Sequence, residues 1–290
     1  MNITRYYRFA GLNVAISMAE ELVSDSAYRL EPFRGVPTTD ACSFYFQKVD
    51  NLPYPEGKLL AEEPHFFVIS QEKTEIRYVG ACRENWENAY IRAEHFGKEH
   101  RILLLRERIS GTIGNKVILE SLGAEHLIAR NHGFIFHCSY IDHNGKAILF
   151  TAPSGTGKST QADLWAKYRD SEIINGDRAA VRLAEGVLLA EGIPFAGSSQ
   201  YCKNKSLPIE AIVYLGQAPK TTIRRLRGYE AFAKIWEGVS VNTWDKTDLE
   251  LVSDVVQKIA ERIPVFHMPC TPDESAVIVL EEALRKQANQ

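Results

Sequence analysis

The chain has 290 residues, 45% of them hydrophobic and 24% charged, a composition that excludes disordered, collagen-like and low-complexity proteins. The chain has 34 Lys and Arg and 37 Asp and Glu, so its formal net charge is −3. This charge gives no electrostatic basis for binding nucleic acid or an anionic membrane. No stretch reaches the ~18 uninterrupted apolar residues of a membrane span. A globular domain has about 100–200 residues, so we expect two domains.

Cysteine usage predicts a reducing compartment. The five cysteines are odd in number and form no Cys-x-x-Cys pair, so we expect neither a disulfide framework nor a structural zinc site. The first ten residues carry arginines but are followed by no apolar run or small-residue cleavage site, so no signal peptide is predicted. We therefore expect a cytoplasmic protein.

Residues 1–112 are predicted to form a β-rich domain. Apolar runs at 42–46, 65–70 and 102–105 predict strands, with Pro/Gly turns at 53–57 and Gly80. The aromatic residues of this part indicate a β core and leave a docking role for a substrate or peptide open.

A mixed α/β domain is predicted over 113–290, with the boundary near residue 112. Its first predicted elements are a helix at 115–128, interrupted by Gly123, and two strands at 134–141 and 147–150, joined by a turn at 143–145. A helix at 160–168, a strand from Glu172 and a strand at 208–215 follow. The last predicted elements are helices at 229–238 and 249–262 and closing segments at 263–267 and 276–283.

A glycine-rich loop predicts a triphosphate site. The run Ala152-Pro-Ser-Gly-Thr-Gly-Lys-Ser-Thr160 matches the loose phosphate-loop pattern, although the strict pattern begins with Gly. Its glycines let backbone N–H groups converge on an anion, and the following helix adds partial positive charge there. Lys158 would meet the outer phosphates, and the Ser159 hydroxyl would ligate Mg²⁺. The alternative is a chance surface turn, which the flanking strand and helix disfavour.

Asp177 is the predicted acidic partner of this loop. It follows the short apolar strand that begins at Glu172, with one helix between the loop and the acid. We expect a compact layout in which the adjacent strand carries Asp177 to the phosphates, where it could hold Mg²⁺ or accept a proton from an attacking hydroxyl. The alternative is that Asn175-Gly176-Asp177 is only a β-turn.

These motifs resemble the HPr kinase/phosphorylase catalytic domain, which is akin to the ATP-type phosphoenolpyruvate carboxykinases and includes serine kinases of lasso-peptide precursors. The resemblance rests on Ser154–Ser159, the short helix, Asp177-Arg178 and His137, and it covers roughly 115–290. It implies an α/β phosphate-loop kinase domain of that type with a mixed sheet, preceded by a smaller β-rich (α+β) N-terminal domain. HPr-kinase relatives form hexamers, which makes a homo-oligomer an option.

The resemblance also implies site residues and cofactors. Lys158, Asp177 and His137 would be catalytic, and Ser159 and Asp177 would bind the metal. ATP and Mg²⁺ would bind at Ser154, Gly155, Thr156, Gly157, Lys158, Ser159 and Thr160. The family's protein kinases have two adjacent acids where this chain has Gly176-Asp177, so one acid serves both roles or another group takes one of them. Phosphorylase activity, and HPr as substrate, are therefore not implied.

Several other residues have a functional and a structural interpretation. His137 is either catalytic or a hydrogen-bonded strand residue, and His132 is its rival. The run 191–199, with Ser198 and Ser199, either offers hydroxyls to an anion or is a surface turn. For four basic residues we favour solvated surface charge over phosphate binding: Lys203, Lys205, Arg224 and Arg225.

Three functions fit the sequence. The first is an ATP-dependent phosphotransferase that moves the γ-phosphoryl group to a hydroxyl, most simply serine, of a protein, peptide or small molecule. The second, carboxykinase-like chemistry on a small acid, ranks lower because the additional metal-binding groups and the longer chain are missing. The third is a nucleotide-binding regulatory or scaffold protein without turnover.

Overall fold

A computed structural model describes the protein over residues 1–22, 29–109, 114–197 and 199–288. Internal contacts divide the chain into two units, Met1–Ala124 and Glu125–Gln290. Residue 112, near which the domain boundary is predicted, and Ser198 lie outside the described residues. In the described part of the chain, no helix is long and apolar enough to cross a membrane.

The first unit is built on one mixed sheet of eight described strands. The strands are β1 (Asn2–Phe9), β2 (Leu12–Ala19), β3 (Cys42–Val49), β4 (Lys58–Glu63), β5 (Phe66–Gln71), β6 (Thr74–Val79), β7 (Ile91–Phe96) and β8 (Glu99–Leu105). Their order is β1-β2-β3-β8-β7-β6-β5-β4, and β3 pairs in parallel with both β2 and β8. The predicted strands at 42–46, 65–70 and 102–105 correspond to β3, β5 and β8.

Aromatic side chains form much of the core of this unit, as their density in the sequence indicates. The rings of Phe67 and Tyr78 are both fully buried and stack with centroids 4.8 Å apart. The Tyr78 hydroxyl donates to the carbonyl of Pro53 at 2.7 Å, so the polar end of this buried ring is satisfied.

The helix predicted over 115–128 consists of two helices, α1 (Asn115–Ser121) and α2 (Ala124–Arg130). Gly123 separates them with φ +57°, a left-handed conformation that ends a helix and that glycine adopts without penalty. The division between the two units falls at the first residue of α2.

The second unit is α/β with a mixed sheet. Its remaining helices are α3 (Lys158–Arg169), α4 (Gly228–Trp236), α5 (Lys246–Arg262) and α6 (Glu274–Ala288). Its strands are β9 (Gly133–His143), β10 (Lys146–Thr151), β11 (Glu172–Asn175), β12 (Arg178–Ala184), β13 (Val187–Glu191), β14 (Ser206–Gln217), β15 (Arg224–Leu226), β16 (Val239–Ser240) and β17 (Val265–Cys270). The segment 276–283 lies within α6.

Strand β9 is the centre of this sheet. It pairs antiparallel with β10 along one edge, and with β12 and then β11 along the other. The predicted strand pair, 134–141 and 147–150 joined by a turn, is therefore confirmed, and it places the strand of His137 beside the strand that enters the glycine-rich loop. Strand β11, which leads to Asp177, does not pair with β10, because β9 lies between them. The loop and Asp177 are thus brought together across β9.

The two faces of β9 support different cores, as expected from the alternation of side chains along a strand. Phe136, Cys138 and Tyr140 are fully buried and belong to a cluster that includes residues of α4 and α5. Ile141, on the opposite face, belongs to a second cluster with Trp165 of α3. His137 and Ser139 share the parity of Ile141 and hence its face.

Candidate active site

The glycine-rich loop connects β10 to α3 over residues 152–157. Gly155 and Gly157 adopt φ values of +77° and +116°, which L side chains rarely adopt. Helix α3 starts at Lys158 with Gly157 at its N-cap and no side-chain cap. The first backbone N–H groups of the helix are therefore left for another acceptor, as in an anion-binding helix N-terminus.

Lys158 is 8% exposed and bends back over its own loop. Its Nζ donates to the carbonyl of Ala152 at 3.0 Å and lies 3.5 Å from that of Pro153. Burial lowers the pKa of the Lys158 ammonium, and the negative charge of Asp177 partly opposes this effect. The ammonium is held inside the site and is electrostatically coupled to Asp177.

Asp177 sits in a turn that Asn175 organises. The Asn175 side chain is fully buried, and its Oδ1 accepts from the backbone N–H groups of Asp177 and Arg178, both at 3.0 Å. Its Nδ2 donates to the carbonyls of Ile193 at 3.2 Å and Phe195 at 3.0 Å. The sequence suggested either a β-turn or a functional acid, and this turn presents the acid to the loop.

The Asp177 carboxylate lies between two nitrogen groups. Its Oδ1 is 3.5 Å from His137 Nε2, and its Oδ2 accepts from Arg178 Nε at 3.2 Å. Burial, followed by the positive charge of Lys158, lowers the pKa of His137, and Asp177 opposes the shift.

These groups open into one cleft of about 540 Å³. The predicted residues that line it are His137, Ser154, Gly155, Gly157, Lys158, Ser159, Thr160 and Asp177. Thr156 is not among them, and its backbone N–H donates to Pro153 at 3.3 Å. Ser199, which the sequence offered as a hydroxyl for an anion, also lines the cleft, together with Gln200 and Tyr201.

Three contributors to this site were missed by sequence reasoning. The sequence indicates Asn175 only as part of a possible β-turn, and Gly197 only as a member of the run 191–199. A Cβ on Gly197 would lie 2.5 Å from Asp177 Oδ2, so the glycine leaves room for the carboxylate. Asp163 lines the cleft from α3. Its spacing of four residues from Ser159 puts both on one helix face and was a usable signal.

His132 and the four basic residues for which the sequence allows a functional role do not line the cleft. His132 has φ +56°, follows α2 and does not line the cleft. The four basic residues also lie outside the lining, in agreement with the surface interpretation. Lys203 and Lys205 both pair with Glu172, Arg224 pairs with Glu230, and Arg225 contacts Gln287.

A larger cavity, about 820 Å³, lies in the first unit along its sheet. Acidic and basic side chains are mixed in its lining, as with Glu94 and Glu99 beside Lys48 and Arg101. Because size alone says nothing of chemistry, the smaller cleft is the better candidate: it combines a helix N-terminus, a buried lysine and a carboxylate.

A group that could hold a metal ion lies elsewhere in the second unit, formed by His126, Asp245 and Asp248. Arg130 already donates to both carboxylates, to Asp245 through Nη2 and to Asp248 through Nε, at 2.9 Å each. Asp245 also caps α5 by accepting from the N–H groups of Thr247 and Asp248. A guanidinium thus supplies the positive charge of this group, which we interpret as structural.

Fold and site together define an α/β protein with a glycine-rich loop at a helix N-terminus and a facing aspartate. The family model described as "SynChlorMet cassette protein ScmC" matches residues 124–273, just over half of the chain, and the chain belongs to this family. No curated protein matches it. Among solved structures it is similar to the Hpr(Ser) kinase/phosphatase from Coxiella burnetii, at 11% identity and a TM-score of 0.33, over 53% of this chain and 90% of that one.

Proposed function

We propose that the second unit binds ATP with Mg²⁺ and transfers the γ-phosphoryl group to a hydroxyl acceptor, most simply serine, of a protein, peptide or small molecule. The observation that carries this proposal is the cleft in which Lys158, at the N-terminus of α3, faces the Asp177–His137 pair. A helix N-terminus with a buried ammonium favours phosphate groups, and a carboxylate opposite them is suited to accept a hydroxyl proton.

In this reaction, each group of the cleft has a separate role. The backbone N–H groups at the start of α3 hold the outer phosphates, and the Lys158 ammonium turns from the Ala152 carbonyl toward them. Asp177 takes the proton of the acceptor hydroxyl. The acceptor oxygen then bonds to the γ-phosphorus, the bond from that phosphorus to the β–γ bridging oxygen breaks, and ADP leaves. His137 and Arg178 orient the Asp177 carboxylate from its two sides.

The donor set fits Mg²⁺, which prefers hydroxyl, carboxylate and phosphate oxygens. Ser159 and a carboxylate that lines the cleft would hold it. When bound, the ion would neutralise charge that develops on the phosphates.

The experiment is incubation of the purified protein with γ-labelled ATP and Mg²⁺, with serine-containing acceptors and with host lysate. We expect label on an acceptor, and the labelled species names the substrate. Asp177→Asn should reduce transfer by about 10²–10⁴-fold while ATP binding, measured by calorimetry, persists, since a proton-accepting group contributes that much to rate. Asp170→Asn is the matched control, because Asp170 caps the far end of α3.

The results separate the proposal from its alternatives. ATP binding without transfer to any acceptor would favour a nucleotide-binding regulatory or scaffold protein. Absence of ATP binding in a folded sample would overturn the proposal. Transfer that persists unchanged in Asp177→Asn would retain the kinase but remove Asp177 as its base.

A further inference from the structure

Each oxygen of the Asp177 carboxylate already has a nitrogen group beside it. One of its oxygens lies 3.5 Å from His137 Nε2 and the other accepts from Arg178 Nε at 3.2 Å. Gly197 lies so close to the same carboxylate that there is no room for a Cβ on this residue. Mg²⁺ needs near-octahedral oxygen ligands at about 2.0–2.1 Å, and a neighbouring guanidinium repels it.

The turn before Asp177 cannot supply a second carboxylate. A Cβ on residue 176 would lie 2.4 Å from Ser199 Oγ and 2.9 Å from Ser199 Cβ. Residue 176 is therefore restricted to glycine while Ser199 holds its place.

Asp163 is the other carboxylate among the described residues that line the cleft. It lies one helical turn after Ser159, which puts the two side chains on one face of α3, and both line the cleft. Its side chain makes no hydrogen bond or ion pair within the described residues. Lys167, the nearest basic residue along this face, lies over the ring of Tyr168.

We propose that Asp163, with Ser159, binds the divalent cation of the nucleotide complex, and that Asp177 is thereby left to accept the proton of the acceptor hydroxyl. This inference rests on the proposed function. It assigns the metal and the proton to two carboxylates that line the cleft, one on α3 and one between β11 and β12.

The test measures cation binding and needs no turnover. Mn²⁺ is titrated into the protein saturated with a non-hydrolysable ATP analogue, and bound Mn²⁺ is followed by electron paramagnetic resonance. Asp163→Asn should weaken Mn²⁺ binding at least about tenfold, because even groups that only orient metal ligands contribute about 10–100-fold. Asp163→Glu should recover part of the loss, and Asp177→Asn should change Mn²⁺ affinity less than Asp163→Asn does.

Two controls keep the outcomes distinct. Asp170→Asn makes the same charge change at the far end of α3 and should leave Mn²⁺ affinity unchanged. Thermal unfolding of each variant verifies folding. If Asp177→Asn loses as much Mn²⁺ affinity as Asp163→Asn or more, or if Asp163→Asn binds Mn²⁺ like the parent protein, the inference is overturned while the kinase proposal stands. If the analogue does not bind at all, the proposed function fails and the inference fails with it.

Discussion

The Ser199 side chain fills the space that a side chain on Gly176 would need. A Cβ at residue 176 would come within 2.4 Å of Ser199 Oγ, and that Oγ also accepts from the backbone N–H of Tyr201 at 3.1 Å. The two residues belong to different loops, and both line the cleft. The glycine next to Asp177 therefore has a packing reason that the sequence alone does not reveal.

This contact predicts coupling between the two positions. Gly176→Ala should lower the free energy of unfolding by about 1–3 kcal/mol, the usual range for overpacking. In a Ser199→Gly background, which removes both crowding atoms, the same substitution should be less costly by at least about 1 kcal/mol. Urea unfolding of the four proteins in this cycle measures the coupling. Equal costs in both backgrounds would mean that Ser199 is not the obstacle.

Asn175 is expected to position Asp177. Asn175→Ala removes the acceptor of two backbone N–H groups and the donor to two carbonyls, so it should cost about 1–3 kcal/mol in urea unfolding. Because Asp177 would be misplaced while the loop is untouched, kcat should fall with little change in the KM for ATP. Asn144→Asp, in an exposed turn, is the control and should be near neutral. A higher KM for ATP with unchanged kcat would contradict the positioning role.

The titration of His137 should report on its two charged neighbours. Burial and the positive charge of Lys158 lower the pKa of His137, and Asp177 opposes this lowering. Lys158→Met should therefore raise this pKa, and Asp177→Asn should lower it further. Nuclear magnetic resonance of the imidazole carbon-bound protons measures both shifts. Shifts in the opposite directions would exclude the arrangement described for the cleft.

The same lowered pKa affects stability. Between the lowered value and the ordinary value of about 6.5, the unfolded chain binds more protons at this residue than the folded one. The free energy of unfolding should therefore rise with pH across that window and lose this dependence above it. The pKa of His267 is also lowered, so the contribution of His137 is the difference between the parent protein and His137→Gln. Identical pH profiles for the two proteins would contradict the prediction.

The group formed by His126, Asp245 and Asp248 should depend on Arg130 and not on a metal. Treatment with EDTA should leave Tm unchanged. Arg130→Ala should cost about 3 kcal/mol, since it leaves the fully buried Asp248 without its guanidinium. Arg285→Ala, which breaks a pair on the exposed face of α6, should cost less than about 1 kcal/mol. A fall in Tm on chelation would instead identify a bound ion.

Local sequence was sufficient to predict the features that depend only on residues close together along the chain. The glycines at 155 and 157, the strand before them and the helix after them lie within one continuous segment, and each has its own signature in the chain. The turn before Asp177 could be read in the same way, because Asn175 bonds to residues two and three positions ahead.

Only the tertiary structure decided how these pieces combine. The sequence led us to expect the strand of Asp177 next to the loop, whereas β9 lies between them and contributes His137 from its middle. The roles of Ser199, Gly197 and Asn175 depend on contacts between loops that are separate along the chain. Alternation and helical spacing report which way a side chain faces, but they contain no information on what lies opposite it, because that is determined by long-range pairing and packing.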